Sequence, residues 1–275
     1  MNNDFKILFV MPVLRTPTYT RLAYESFMEN TDGRHKLVIC LDLDNAADRE
    51  YYETHNIPYK VRQGWGHWMM TNWEVWNTMQ TSAPYNFVGL LHNDMVFGCG
   101  WLDGLEMYFE KQVELVKYKD IIFSFNHVPA PMTPTPEIGK EIFRYSQFIR
   151  NTHMNDIPAA VSYLQFLPWV WSFDFHQYNE HCQWLFGGDY GIFKPYRDGR
   201  KMNYIPIQFT NSGVVHFGNV ACTFHKADFM RIQTTKSFFP ELAKDKDYVA
   251  IAEFLVNNTI HRESTALREI LSLRG

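Results

Sequence analysis

The residues Phe87-Val88-Gly89-Leu90-Leu91-His92-Asn93-Asp94-Met95 form an apolar run that ends abruptly in polar groups, and Gly100-Trp101-Leu102 follows close behind. A hard divalent cation such as Mg²⁺ or Mn²⁺ prefers oxygen ligands and keeps positions open for substrate phosphates. One or two carboxylates at a strand end therefore suffice to hold it. By this reading the segment is a metal-diphosphate site, with Asp94 as the candidate ligand. The same pair also fits a plain turn, with Asn93 capping the helix that follows.

Such a cluster needs a scaffold, and the first 125 residues alternate between strand and helix character. Residues 6–14 are a nearly continuous apolar run, as in a strand buried on both faces of a parallel sheet. Residues 18–30 have helical spacing through Leu22, Ser26 and Asn30, with Gly33 as the stop. The strand signal recurs over residues 36–43 and ends in Asp42-Leu43-Asp44. A polar helix over about residues 46–54 and a short strand near 59–63 come next. Residues 68–81 read as a helix with Met69, Trp73 and Trp76 on one face, and 86–91 as the strand that delivers Asp94. Leu102, Leu105, Phe109, Val113 and Val116 mark another helix before a strand over 121–125. This alternation predicts an α/β sheet, whose ligands collect beyond the strands' carboxyl ends. Residues 12–16, Asp42, Asp44 and Asp94 then surround one crevice.

The second half breaks the rhythm. Residues 127–136 hold four prolines in ten positions, which predicts an extended loop at the functional edge of the sheet. Residues 163–184 are dense in aromatics: Phe166, Trp169, Trp171, Phe173, Phe175, Tyr178 and Trp184. Core packing accounts for many of them, and the remainder suit a stacking platform for a sugar or a base. Residues 239–273 look mainly helical.

Composition narrows the partners. Hydrophobic residues make up 46% of the 275, enough for a sizeable core. The net charge of −4 and the lack of a Lys/Arg run leave no footprint for strong nonspecific nucleic-acid binding, although a local basic groove stays open. Cys40, Cys99, Cys182 and Cys222 lie far apart without paired metal spacing and read as reduced thiols; His176, His181 and Cys182 likewise lack a zinc pattern. The polar start has no basic leader, and no apolar run reaches membrane-spanning length. The expectation is a soluble protein of a cytoplasmic-type compartment, the host cytoplasm if the chain is viral. Oligomeric state has no signature here.

Taken in order, the strand ending in Met11-Pro12-Val13, the strand ending in Asp42-Leu43-Asp44, the helix bearing Asn72, and then Leu91-His92-Asn93-Asp94 and Gly100-Trp101-Leu102 resemble GT-A-fold glycosyltransferases of the family-2 type. The resemblance covers about residues 5 to 220. It implies a Rossmann-like, mixed but mainly parallel sheet and a nucleoside-diphosphate sugar donor, commonly a UDP-sugar, over its carboxyl edge. By similarity Pro12, Leu14 and Arg15 line the nucleotide pocket, Asp42 or Asp44 approaches the base or ribose, and Asn72 and Asn93 belong to the donor side. Asp94 matches the last acid of the family's D-x-D-like metal motif, and His92 stands in place of the first.

Two later segments extend the match. Phe186-Gly187-Gly188-Asp189-Tyr190-Gly191 resembles the acidic segment that supplies the catalytic base in inverting members, with glycines that let an acceptor approach Asp189. Taken alone, it also reads as a turn carboxylate. Val214-Val215-His216-Phe217-Gly218 resembles the segment that contacts the metal or the diphosphate, although a lone His after an apolar pair is often merely half-buried. The implied organisation is a catalytic domain over 1–235, with a nucleotide-sugar half over 1–125 and an acceptor half over 126–235, and a helical extension over 236–275. The implied reaction is direct displacement at the anomeric carbon: Asp189 deprotonates the acceptor, and Mn²⁺ or Mg²⁺ on Asp94 and His216 neutralises the departing diphosphate. Arg15, Arg197 and Lys201 are candidate phosphate contacts. Acceptors compatible with the chain include saccharides and hydroxymethylated pyrimidines in DNA, as modified by bacteriophage-type enzymes; a flipped base would suit an aromatic pocket. A nucleotidyltransferase, or a noncatalytic sugar- or nucleic-acid-binding module on the same fold, is the alternative.

Overall fold

The computed structural model describes residues 6–81, 85, 87–111, 121–129, 169–172, 205–217, 225–228, 236–258 and 265–274. Its centre is β1 (Ile7–Val13), every residue of which is buried, as expected for a strand covered on both faces. The two faces alternate with the strand's period of two. Leu8 and Val10 point to one core, shared with Val38 and Cys40. Ile7, Phe9, Met11 and Val13 point to the other, shared with Ile39 and Leu41.

On either side of β1 lie β2 (Lys36–Leu41) and β4 (Phe87–Leu90), both parallel to it, and β3 (Lys60–Val61) extends β2 in the same sense. Pro12 sits beyond Val10, the last β1 residue in register with β4, so its missing amide falls where that ladder has ended. The sheet continues through β7 (Trp169–Ser172), β6 (Ile121–Pro129), β8 (Ile205–His216) and β5 (Met95–Phe97), in the order β3-β2-β1-β4-β7-β6-β8-β5. β7 runs antiparallel to both neighbours and β5 antiparallel to β8, whereas β6 and β8 are parallel. The mixed, mainly parallel α/β sheet expected from the sequence is the observed architecture.

Helices cover both faces. α1 (Pro17–Asn30) starts with proline at its first position, where the missing amide is harmless. It packs Ala23 and Phe27 onto the Phe9 face beside Trp101 and Leu105, the latter from α4 (Asp103–Lys111). α2 (Ala46–Thr54) is capped by Asn45, whose side chain accepts from the Asp48 amide at 3.1 Å. α3 (Gly66–Gln80) places Met69 and Met70 on the Leu8 face, with Trp73 and Trp76 packed against them. That face is completed by Phe238, which ends a 3₁₀ turn (Lys236–Phe238), and by α5 (Phe239–Leu242), α6 (Lys246–Asn258) and α7 (Thr265–Ser272). The C-terminal helices thus share one hydrophobic core with β1 and β2. Among the described residues no helix is long and apolar enough to cross a membrane.

Two expectations are corrected. Residues 127–129 are not loop: β6 runs on to Pro129, pairing His127, Val128 and Pro129 with Val214, Val215 and His216 after a register shift between Phe125 and His127. The shift lets the strand continue past Asn126, and Pro129 stands at its terminus, where a missing donor is tolerated. β2 stops at Leu41 and not at residue 43, because Asp42 turns away, its amide donating to the Val13 carbonyl and its carbonyl accepting from the Gly64 amide, each at 2.9 Å.

Candidate functional site

The order β2-β1-β4 makes the carboxyl ends of β1 and β4 the point where successive connections leave in opposite directions, which is where open α/β sheets form a ligand crevice. Asp94 lies just past β4 and immediately before β5. Antiparallel pairing sets Met95 opposite His216, and the Phe217 amide donates to the Asp94 carbonyl at 2.9 Å. This ladder, formed between distant parts of the chain, brings His216 Nε2 to 3.2 Å from Asp94 Oδ1. His92 joins them: one ligand atom from each of His92, Asp94 and His216 lies within 4.8 Å of the others. Asp94 is 6% exposed and both histidines are half-buried. Tyr19, edge-on to Phe217 at 5.0 Å, has its hydroxyl pKa raised by burial and then by the Asp94 charge. One carboxylate and two imidazoles at this spacing fit a divalent cation, with Asp94, His216 and His92 as its holders.

The loop after β1 forms the neighbouring wall. Arg15 and Thr16 both adopt left-handed backbone, φ 60° and 59°, a conformation that costs a non-glycine residue about 1–3 kcal/mol and persists only when surroundings enforce it. Asn93 is one enforcer: its buried amide donates to Thr16 Oγ1 at 2.7 Å and Thr20 Oγ1 at 3.0 Å. Tyr52 donates to the same Thr20 hydroxyl at 3.3 Å. The other enforcer is charge, since Arg15 pairs through Nε with Asp48 at 2.8 Å and through Nη1 with Asp228 at 3.4 Å. Burial raises the Asp48 pKa, and the Arg15 guanidinium opposes that shift. Leu14 is buried beside this loop.

Asp42 occupies the floor between β2 and α3. It is 1% exposed, and its Oδ1 accepts from the Gly66 amide, the first of α3, at 3.0 Å. Burial pushes its carboxyl up to about 7, against the opposing pull of the Gly66, Trp65 and Gly64 amides. The Arg62–Gly66 turn is held from its other side as well: the Trp65 indole donates to Asp245 at 3.0 Å, and Arg62 pairs with Asp247 at 2.8 Å while lying over the Trp65 ring. Asp44 is exposed and paired with Arg49 at 2.9 Å, and Asn72 is fully buried in α3.

The structure therefore joins Asp94, His216, Asn93 and Arg15 in one contiguous region at the ends of β1 and β4. Asp42 is buried just past the end of β2 and Asn72 within α3, Pro12 lies within β1, and Asp44 lies at the surface. Trp169 and Trp171 belong to β7. Asp189, Arg197, Lys201, His176, His181, Cys182 and the other aromatics of 163–184 fall outside the described residues, as does the 130–136 part of the proline-rich run. Three residues of this region escaped the sequence reading: His92 as a donor atom in its own right, Thr20 and Asp48. The i, i+2 spacing of His92 and Asp94 on a non-helical segment was a usable signal, whereas Thr20 and Asp48 carried none.

No protein-family model matches the chain, and no curated protein matches it. Among solved structures it is similar to S. aureus TarS: the crystal structure of TarS 1-349 superposes with a TM-score of 0.50 at 9% identity, over 98% of this chain and 88% of that one. Two further crystal structures of the same segment, in complex with UDP and with UDP-GlcNAc, each give a TM-score of 0.47 at 9% identity over the same shares. At this identity the likeness defines the fold, which is the GT-A arrangement of glycosyltransferases.

Proposed function

We propose that the chain is a glycosyltransferase that moves a sugar from a nucleoside-diphosphate sugar, a UDP-sugar by resemblance, to an acceptor hydroxyl with inversion. The observation that carries this reading is the His92, Asp94 and His216 cluster at the crevice between the carboxyl ends of β1 and β4. A diphosphate there needs its charge balanced, and a bound divalent cation, Mn²⁺ or Mg²⁺ by resemblance, supplies that as a Lewis acid. Asp94 and His216 hold the ion, with His92 completing the set. The strained Arg15–Thr16 loop shapes the nucleotide side, and Asn93 keeps it in place. Asp42 acts on the donor by fixing the Arg62–Gly66 turn through the Gly66 amide. Asp189 accepts the acceptor's proton as general base, and the aromatic stretch offers the acceptor a stacking surface. A saccharide or a hydroxymethylated pyrimidine in DNA fits as acceptor.

A panel of nucleotide sugars, screened by thermal unfolding with and without Mn²⁺, tests the reading. Donor at ~100 times its dissociation constant adds roughly 2.7 kcal/mol to stability by mass action. A shift confined to one nucleotide class and dependent on metal is the expected result. A panel without any shift would reject the transferase assignment.

A further inference from the structure

We infer that His92 sets the metal preference of this site: two imidazoles and one carboxylate select a first-row transition ion and discriminate against Mg²⁺. The inference rests on the reading of Asp94 and His216 as metal ligands, and it goes further by naming which class of ion they take.

Ligands at about 2.0–2.2 Å from a metal stand roughly 3 Å apart when adjacent. The 3.2 Å between His216 Nε2 and Asp94 Oδ1 already has that span. His92 is the outlying member, within 4.8 Å, so an ion draws its ring inward by a modest side-chain movement. The His92 and His216 rings meet edge to face, 89° apart with centroids at 6.0 Å, so they are not locked in a stack. His92 is half-buried, as is His216, whereas Asp94 is buried.

The donor chemistry then decides. Mg²⁺ demands near-ideal octahedral oxygen coordination and gives up its water reluctantly, so two nitrogen ligands and a single negative charge hold it poorly. Imidazole suits the later first-row ions, whose affinities rise from Mn²⁺ through Co²⁺ towards Zn²⁺ for nitrogen-containing sites. Three protein ligands also leave positions open for diphosphate oxygens. An aspartate at position 92 would have added a second charge and a second hard oxygen ligand; the histidine adds neither.

The test is ion binding to the full chain, stripped of metal with a chelator and titrated calorimetrically with Co²⁺, Zn²⁺, Mn²⁺ and Mg²⁺ in the absence of nucleotide. The visible absorption of bound Co²⁺ gives an independent readout. The parent should bind Co²⁺ and Zn²⁺ more tightly than Mn²⁺, and Mg²⁺ weakest, with Co²⁺ and Mg²⁺ at least about tenfold apart. His92→Asp should narrow the Co²⁺/Mg²⁺ affinity ratio by about tenfold or more. His92→Gln, which exchanges ring nitrogen for amide oxygen without adding charge, should narrow it in the same direction and serves where the aspartate variant does not fold. Equal affinity of the parent for Co²⁺ and Mg²⁺, or an unchanged ratio in a folded variant, overturns the inference. Because nucleotide is absent, a parent that prefers Co²⁺ yet binds no nucleotide sugar keeps the metal preference and rejects only the transferase reading.

Discussion

Replacing Asp42 by asparagine should flatten the pH dependence of stability. Its carboxyl is 1% exposed and pushed up to about 7 by burial, whereas the same group in an unfolded chain titrates near 3.9. Between roughly pH 4 and pH 7 the folded chain therefore retains a proton that the unfolded chain has released. Raising the pH through this window removes stability, and above about 7 the loss is complete and constant. Some three pH units at about 1.36 kcal/mol each amount to a loss on the order of 4 kcal/mol. Asparagine cannot ionise, yet its carbonyl oxygen can still accept from the Gly66 amide, so Asp42→Asn should keep the α3 start while abolishing this slope. Urea unfolding of parent and variant at half-unit steps from about pH 4.5 to 8 measures it. The reasoning is refuted if both proteins lose stability in parallel over that range.

Other substitutions probe the scaffold and the chemistry separately. A Cβ at Gly89 would stand 2.3 Å from the ring of Phe9, which is wedged against Phe27 and Trp101, so Gly89→Ala should cost about 1–3 kcal/mol; an unchanged urea midpoint would show that the ring can yield. Asn93→Ala removes two hydrogen bonds to Thr16 and Thr20 and should cost roughly 2 kcal/mol while weakening donor binding; calorimetry that finds full donor affinity would detach Asn93 from the loop's geometry. Asp189→Asn should slow transfer on the order of 10²-fold or more with donor affinity intact, read by single-turnover assay, and normal turnover or a product that keeps the donor's anomeric configuration would remove the base assignment.

The scaffold was legible where burial is two-sided or local chemistry is strong. β1 and β2 announce themselves as unbroken apolar runs because both their faces are covered, and α2 begins at Ala46 because Asn45 caps it. What the sequence hid depends on partners remote in the chain. Nothing local indicates that β6 continues through His127 to Pro129, since the strand is held by β8. Likewise β7, within a run of aromatics, is inserted between β4 and β6 by pairing alone. The approach of His216 to Asp94 follows from the β5–β8 ladder, and the Trp65–Asp245 hydrogen bond ties the β3–α3 turn to the C-terminal helices across 180 positions. The resemblance singled out Asp42 as a candidate, but its burial beneath the Gly66 amide was not legible, because that depends on how α3 seats on the sheet.

The central claim is that Asp94 and His216 hold a cation that in turn holds a nucleoside-diphosphate sugar, and calorimetric titration of the parent and of Asp94→Ala with that donor, in the presence of Mn²⁺ and again with chelator, tests it most directly. The account predicts saturable binding to the parent with Mn²⁺, weakened by about tenfold or more both by chelation and by the substitution, in a variant that still unfolds cooperatively. Donor affinity that is the same in all four titrations would contradict it.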